Sequence, residues 1–192
     1  MSRFGLIVAA LIVLLVIGFA SIVHVTGPGW SGAGGGTTGP KLAPVAPYAG
    51  RLPIPVRGVA ASALHDDWAE PRGGGTRTHH AIDIMAPQGT SVLAVADGRI
   101  EKLFQSRLGG TTIYERSADG GSIFYYAHLD RYAPTLVEGQ AVKAGQEIAA
   151  VGATGDADAA APHLHFEIHR MAPGERWWQG TEIDPYPLLA KR

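Results

Sequence analysis

The pattern of apolar and polar positions divides the chain into three segments. The first contains residues 5–23, an apolar run of nineteen residues without a charge. An α-helix rises about 1.5 Å per residue, so a helix of this length spans the roughly 30 Å hydrocarbon core of a bilayer. Arg3 precedes the run, and the next basic residue is Lys41. We therefore predict that residues 1–25 form one transmembrane anchor in the cytoplasmic membrane, with the rest of the chain on the extracytoplasmic (periplasmic) side.

A cleaved signal peptide is the alternative for this segment. Gly18-Phe19-Ala20 offers small residues at a spacing suitable for cleavage, and loss of residues 1–20 would make the protein secreted. The apolar run is longer than a usual signal core and continues past Ala20, which favours the anchor.

The second segment, residues 26–50, is dominated by glycine and proline and has no apolar periodicity. Such a segment cannot bury enough apolar surface to offset the entropy lost on ordering. We interpret it as a flexible linker that holds the following domain away from a membrane.

The third segment, residues 51–192, is predicted to be one domain of short strands separated by turn residues. The strand-like runs are 91–104 (two stretches meeting at Asp97-Gly98), 111–116, 122–128, 146–151 and 164–169. Residues 118–121 are typical of a hairpin turn between two of these runs. No long amphipathic helix is evident, and Pro162 indicates that the alanine-rich residues 157–161 form a loop. The predicted fold class is all-β-dominated: an antiparallel sheet or barrel-like domain preceded by one transmembrane helix.

Composition narrows the function classes. The chain has 16 basic and 17 acidic residues, which gives no basic field for nucleic acid. It has no cysteine, so disulfides and thiolate metal sites are excluded and any metal must be held by nitrogen and oxygen atoms.

Histidines supply the candidate chemistry. His163 and His165 lie in a run that alternates polar and apolar residues, so both should project from one face of a strand while Leu164 and Phe166 anchor the other face in the core. Zinc binds histidine nitrogen and carboxylate oxygen at about 2.0–2.2 Å, and a catalytic zinc usually has three protein ligands. His165 with His79 and Asp83 would complete such a set.

The spacing of this set leaves points open. An extended chain separates His79 and Asp83 by about 13 Å, so we expect a bend at His79-His80. His80 could replace His79 as the ligand on spacing alone. An isolated His-x-His is more often a surface pair than a metal site, but the third histidine context, at His128, favours the metal.

Three further histidines, His24, His65 and His169, lie outside this set and are interpreted as solvated.

The histidine contexts and several segments around them resemble the lysostaphin/LytM-type zinc endopeptidases of bacterial cell walls. The resemblance covers nearly all of residues 64–189. Besides the histidine contexts, the matching segments are 72–75, 86–90, 95–100, 142–146, 151–152 and Asp184-Pro185.

The resemblance implies a role for each motif residue. The family pattern Arg-x-His-x-Gly-x-Asp falls on Arg77, His79, Ala81 and Asp83, so it selects His79 rather than His80 as a ligand of one zinc ion, with Asp83 and His165. Ala81 replaces the usual glycine; a methyl group would strain the loop if that position needed a positive φ, and we expect it to be tolerated.

The resemblance also implies metal-assisted hydrolysis of peptide bonds in peptidoglycan stems or cross-bridges. His128 and His163 would share the roles of general base and oxyanion donor, in an order that the sequence leaves open. Glu167 is a possible substitute base, but one step beyond His165 on the same face it is better interpreted as a residue supporting the site.

Two other function classes agree less well with the sequence. Some relatives lose zinc ligands and regulate other cell-wall hydrolases through a protein partner, whereas all five expected positions are filled here. Residues 142–146 also resemble the hairpins of biotinyl or lipoyl carrier domains, but the turn at Asp97-Gly98 offers no lysine for attachment.

Overall fold

The computed structural model of the protein describes residues 51–190. The predicted anchor at 1–25 and the predicted linker at 26–50 lie outside the described residues. Between residues 51 and 190, no helix is long and apolar enough to cross a membrane.

The described domain is built from short antiparallel strands, as the alternating pattern predicts. The strands are β1 (Pro71–Arg72), β2 (Arg77–Thr78), β3 (Ile82–Met85), β4 (Ser91–Leu93), β5 (Gly98–Ser106), β6 (Gly110–Ser117), β7 (Ser122–Tyr132), β8 (Ala141–Val142), β9 (Glu147–Val151), β10 (His163–Arg170) and β11 (Thr181–Ile183). Helical structure within residues 51–190 is limited to two 3₁₀ turns, at Ala61–Ala63 and Gly73–Gly75, and one α-helix, α1 (Tyr186–Ala190).

Nine strands form one sheet, and β1 pairs with β2 in a separate two-stranded ribbon. The main path of the large sheet runs β11-β10-β7-β6-β5-β8, with β3 paired to β10 and β9 paired to both β4 and β7. The predicted hairpin is confirmed, because β6 and β7 pair in antiparallel register across the turn after Ser117. The two stretches of 91–104 are strands, but β4 pairs with β9 while β5 pairs with β6 and β8.

Strand β10 positions most of the chemistry. Its alternate residues Leu164, Phe166 and Ile168 are fully buried in the core. Their neighbours His163, His165, Glu167 and His169 therefore lie together on the opposite face of the strand. At one edge β10 pairs with β7, and at the other it pairs first with β3 and then with β11. The functional face is thus held by core packing underneath and by hydrogen-bonded strands on both sides.

Candidate metal centre

Two of the three predicted ligands meet because of strand register. Asp83 on β3 is the direct cross-strand partner of His165 on β10. Directly opposed residues of an antiparallel pair project from the same face, with Cβ atoms about 4.5–5.5 Å apart. His79 reaches the same point from the irregular segment between β2 and β3, where the chain bends at Ala81, one residue beyond the predicted His79-His80.

The ligand atoms form a compact triangle. The Nε2 atom of His79 lies 3.1 Å from Oδ1 of Asp83 and 3.2 Å from Nδ1 of His165. The third side, from His165 Nδ1 to Asp83 Oδ1, is 3.1 Å. A tetrahedral zinc ion with ligand atoms at about 2.0–2.1 Å keeps those atoms roughly 3.3 Å apart. The donor set therefore fits one such ion, and the group could hold a metal.

The two histidines of the 79–80 pair have different environments. His79 is buried, whereas His80 is exposed and stacks on Trp68 with ring centroids 5.1 Å apart. The backbone of His79 is fixed by its N–H donating to Glu70 O and its carbonyl accepting from Ala69 N–H. The ambiguity that spacing alone leaves is resolved geometrically in favour of His79.

Outer contacts orient His79 and Asp83. The Nδ1 atom of His79 lies 3.1 Å from the carbonyl oxygen of Asp67 and 3.1 Å from Nη2 of Arg72. In the tautomer in which Nδ1 donates to the carbonyl, Nε2 is unprotonated, as a metal ligand requires. Arg72 donates to Oδ2 of Asp83 at 2.8 Å, which leaves Oδ1 to face the histidines. Asp67 also contributes its side chain, because its Oδ2 atom accepts from the backbone N–H of Asp83 at 3.1 Å, and the sequence analysis missed this residue.

His165 is oriented by Glu167 and, through it, by His169. Glu167 accepts from Nε2 of His165 at 2.9 Å and from Nε2 of His169 at 2.6 Å. Glu167 therefore supports the site as expected. The interpretation of His169 as a solvated residue is wrong: its side chain is only 12% exposed and is paired with Glu167. The alternation of β10 carries this signal, since His169 is two residues beyond Glu167 on the same face.

His128 joins the site through an irregularity in β7. Ala127 is the cross-strand partner of His165, so regular alternation would turn His128 away from the functional face. His128 instead adopts φ of 59°, in the left-handed region, at the point where β7 leaves β10 and begins to pair with β9. The change brings consecutive residues, Ala127 and His128, to the same cleft. A non-glycine residue with positive φ is uncommon, although histidine is among the residues that tolerate it.

The two remaining histidines are held alike by main-chain carbonyls. Nδ1 of His128 lies 2.8 Å from the carbonyl oxygen of Thr154, and Nδ1 of His163 lies 2.8 Å from that of Ala161. Each carbonyl can only accept, so Nδ1 carries the proton and Nε2 of the neutral ring keeps a lone pair. The rings are 5.0 Å apart between centroids, and His128 is 5.6 Å from His165. Two potential proton acceptors thus flank the ligand triangle.

The acidic and basic side chains of the triangle shift one another's pKa values. Burial alone would raise the pKa of Asp83, but hydrogen bonds and charge from His165 and His79 lower it well below its usual range. Burial would lower the pKa of His165, but Asp83 and Glu167 raise it to about 9. A metal ion entering the triangle must therefore displace a proton. Burial is the largest influence on His128 and lowers its pKa, which favours the neutral ring at neutral pH.

These groups line an open cleft of about 700 Å³. Arg77 from β2 and Asp156 from the loop before β10 pair across it at 3.2 Å. Tyr125 is part of its lining, with its ring 6.2 Å from that of His165. A cleft of this volume is large enough to receive a short segment of a peptide.

The replacement of the family glycine by Ala81 does not strain the site. Between residues 51 and 190, Ala69 and His128 are the non-glycine residues with positive φ. Ala81 is buried and needs no glycine-specific conformation, so the expected tolerance agrees with the backbone.

The chain is similar in sequence to bacterial peptidases of one family. The model of peptidase family M23 matches residues 77–185. An L-Ala–D-Glu endopeptidase of Bacillus subtilis is 33% identical over 144 residues, which cover 72% of this chain and 42% of that protein. Peptidoglycan DD-endopeptidase ShyC of Vibrio cholerae is 35% identical over 119 residues, which cover 62% of this chain and 26% of that protein. The chain thus spans less than half the length of these relatives.

A solved structure also shows similarity to a peptidase. The catalytic domain of the antimicrobial peptidase lysostaphin from Staphylococcus simulans aligns with a TM-score of 0.56 and 31% identity. The alignment covers 67% of this chain and 92% of that domain. The similarity is therefore to nearly the whole of a peptidase domain.

Proposed function

The chain belongs to peptidase family M23, and we propose that it is a zinc-dependent endopeptidase that hydrolyses peptide bonds in peptidoglycan stems or cross-bridges. The observation that carries the proposal is the ligand triangle of His79, Asp83 and His165, with sides of 3.1–3.2 Å, beside two histidines whose Nε2 atoms can accept protons. Surface histidines without a metal role would have no reason to converge in this way.

The proposed roles follow from the contacts of each side chain. His79, Asp83 and His165 would hold one zinc ion, which supplies Lewis-acid chemistry and a water of lowered pKa. His128 and His163 would exchange protons at Nε2, since Nδ1 of each is engaged by a carbonyl. A neutral ring takes a proton from the attacking water, and a protonated ring donates to the developing oxyanion or the leaving amine. The lowered pKa of His128 suits it to the accepting role.

Substrate and location complete the proposal. The relatives include an L-Ala–D-Glu endopeptidase and a peptidoglycan DD-endopeptidase, which supports a peptidoglycan peptide as the substrate class. An uncharged run of nineteen residues followed by a Gly/Pro-rich segment supports a domain tethered outside the cytoplasmic membrane.

The proposal is tested with the 192-residue chain in detergent, loaded with zinc and incubated with purified cross-linked peptidoglycan. Mass spectrometry of the released fragments identifies any peptide bond that is cut. We compare wild type with His165→Ala, which removes a ligand, and with His128→Asn, because asparagine also tolerates positive φ. We expect peptide products from wild type, none from H165A or in chelator, and about 10²–10⁴-fold slower release from H128N with zinc retained.

The alternative outcomes separate the remaining functions. One bound zinc without cleavage would contradict the enzyme and favour a protein that regulates other hydrolases. No bound zinc and no cleavage would overturn the metal centre itself. Equal activity in wild type and H165A would show that the reaction does not depend on the triangle.

A further inference from the structure

A second set of polar side chains lies behind the ligand triangle, on the same face of β10. The carboxylate of Glu167 bridges two imidazoles: Oε1 accepts from His165 Nε2 at 2.9 Å, and Oε2 accepts from His169 Nε2 at 2.6 Å. The Nδ1 atom of His169 lies 3.3 Å from the carbonyl oxygen of Gln179. All three side chains are at least three-quarters buried. The set is therefore ordered, and each of its carboxylate oxygens is occupied.

The first bond of this set decides which nitrogen of His165 faces the triangle. A carboxylate oxygen can only accept, so the bond to Glu167 keeps a proton on Nε2, and the proton that a metal ion displaces from the ring is the one on Nδ1. Nδ1 is the atom that lies 3.1 Å from Asp83 Oδ1 and 3.2 Å from His79 Nε2. Glu167 thus presents the metal-binding nitrogen of His165 to the site.

The second bond decides where the carboxylate of Glu167 lies. The group is largely removed from water, and a buried carboxylate is stabilised only where donors satisfy both oxygens. Its cross-strand neighbour Tyr125 forms an aromatic contact with Tyr114, with ring centroids 4.6 Å apart. Without His169, Oε2 would lose its donor, and the carboxylate would gain by turning towards water and away from His165.

The geometry points to Glu167 and His169 as positioning residues that hold His165 in the tautomer and orientation required for metal binding, with His169 acting through Glu167. This inference rests on the proposed function, because it concerns the same zinc centre. It extends the site by a residue that contacts neither metal nor substrate. His79 is supported differently, because its Nδ1 atom lies 3.1 Å from the carbonyl oxygen of Asp67 and not against a carboxylate at hydrogen-bonding distance.

The test is the zinc affinity of the metal-free 192-residue chain, measured by competition with a chromogenic chelator. Glu167→Gln keeps the shape of the side chain but cannot accept from both imidazoles. We expect it to weaken zinc binding by about 10–100-fold, the range typical of partners that orient metal ligands. His169→Leu should weaken binding by roughly tenfold or less, and His169→Gln, which restores an N–H donor, should recover part of that loss.

A double-mutant cycle separates positioning from general destabilisation. If His169 acts through Glu167, E167Q/H169L binds zinc about as tightly as E167Q alone, because the second change removes nothing further. His65→Leu, the same substitution at an exposed histidine outside the site, should leave zinc affinity within about twofold of wild type, and circular dichroism checks that each variant is folded.

Different results would overturn the inference and the proposed function. The inference would be overturned if the loss of zinc affinity in E167Q/H169L equalled the product of the losses in the two single variants. It would also be overturned if E167Q bound zinc within twofold of wild type. Either result would leave the zinc centre intact. Wild-type protein that binds no zinc would overturn the proposed function instead.

Discussion

Glu115 is a buried acid whose titration should make the fold less stable as pH rises. Its side chain on β6 is fully buried in the core region, where the hydroxyl of Tyr126 donates to Oε2 at 2.6 Å. That hydroxyl accepts in turn from the backbone N–H of Val95 at 3.1 Å. Burial raises the pKa of Glu115 from 4.5 to about 7, against the opposing effect of the Tyr126 hydrogen bond. Folding therefore favours the protonated acid.

The magnitude follows from this difference in pKa. One pKa unit corresponds to about 1.36 kcal/mol, so a rise from 4.5 to about 7 corresponds to about 3 kcal/mol. Between these pH values the folded state binds a proton that the unfolded state has lost, so the free energy of unfolding falls as pH rises. The contribution of Glu115 is complete below pH 4.5 and is lost by about pH 7.

Glu115→Gln removes the titration and keeps an oxygen for the Tyr126 hydroxyl. Relative to wild type, the variant should gain about 3 kcal/mol in free energy of unfolding between pH 4.5 and pH 8. Urea denaturation of metal-free protein, followed by circular dichroism at several pH values, measures the difference, in which the titrations of all other groups cancel. Glu147→Gln, at a half-exposed glutamate on β9, is the matched control and should show no such trend. A wild-type-to-E115Q difference that stays constant within 1 kcal/mol across this range would refute the reasoning.

Three further predictions concern the metal centre, the core and a close backbone approach. Because the pKa of His165 is raised to about 9, zinc must displace a proton from it at neutral pH. Zinc affinity should therefore rise by up to tenfold per pH unit between pH 7 and 8.5. Chelator competition at each pH measures this affinity, and an affinity that does not change with pH would contradict the prediction. Phe166→Ala should cost about 3–5 kcal/mol of unfolding free energy in urea, because the fully buried ring leaves a cavity; a loss below 1 kcal/mol would mean that the core collapses around it. Gly152→Ala would place a methyl carbon 2.4 Å from the backbone nitrogen of Asp130. Thermal unfolding should therefore show a loss of about 1–3 kcal/mol in the free energy of unfolding. An unchanged melting temperature would show that β7 can move aside.

The sequence predicts the parts of the site that depend on strand alternation. His163 and His165 lie on the functional face and Leu164 in the core because a two-residue period fixes both at once. The antiparallel class and the hairpin between β6 and β7 are predicted for the same reason, by runs bounded by turn residues. Pairing between distant strands has no comparable signal, so the different partners of β4 and β5 emerge only in the structure.

Other parts of the site depend on main-chain atoms, and no pattern of residue types in the sequence predicts them. The carbonyls that orient His79, His128 and His163 belong to Asp67, Thr154 and Ala161, and a residue of any type could supply such a carbonyl. The position of His128 depends on one left-handed φ, which reverses the face that alternation assigns. By contrast, His169 follows the alternation of β10, and the face that it shares with His165 and Glu167 is the sequence signal that identifies it.

Strand β10 explains why the site can be rigid although it is open to solvent. Any shift of His163, His165 or Glu167 along or across the sheet would require the intervening core residues Leu164 and Phe166 to move as well. Displacing such side chains costs several kcal/mol, because close-packed interiors leave no space to receive them. Register with β3 then carries the same constraint to Asp83, since a slip of one residue would turn the aspartate to the opposite face. The energy that keeps the ligand atoms of Asp83 and His165 within 3.1 Å of each other is therefore largely the packing energy of the core beneath them.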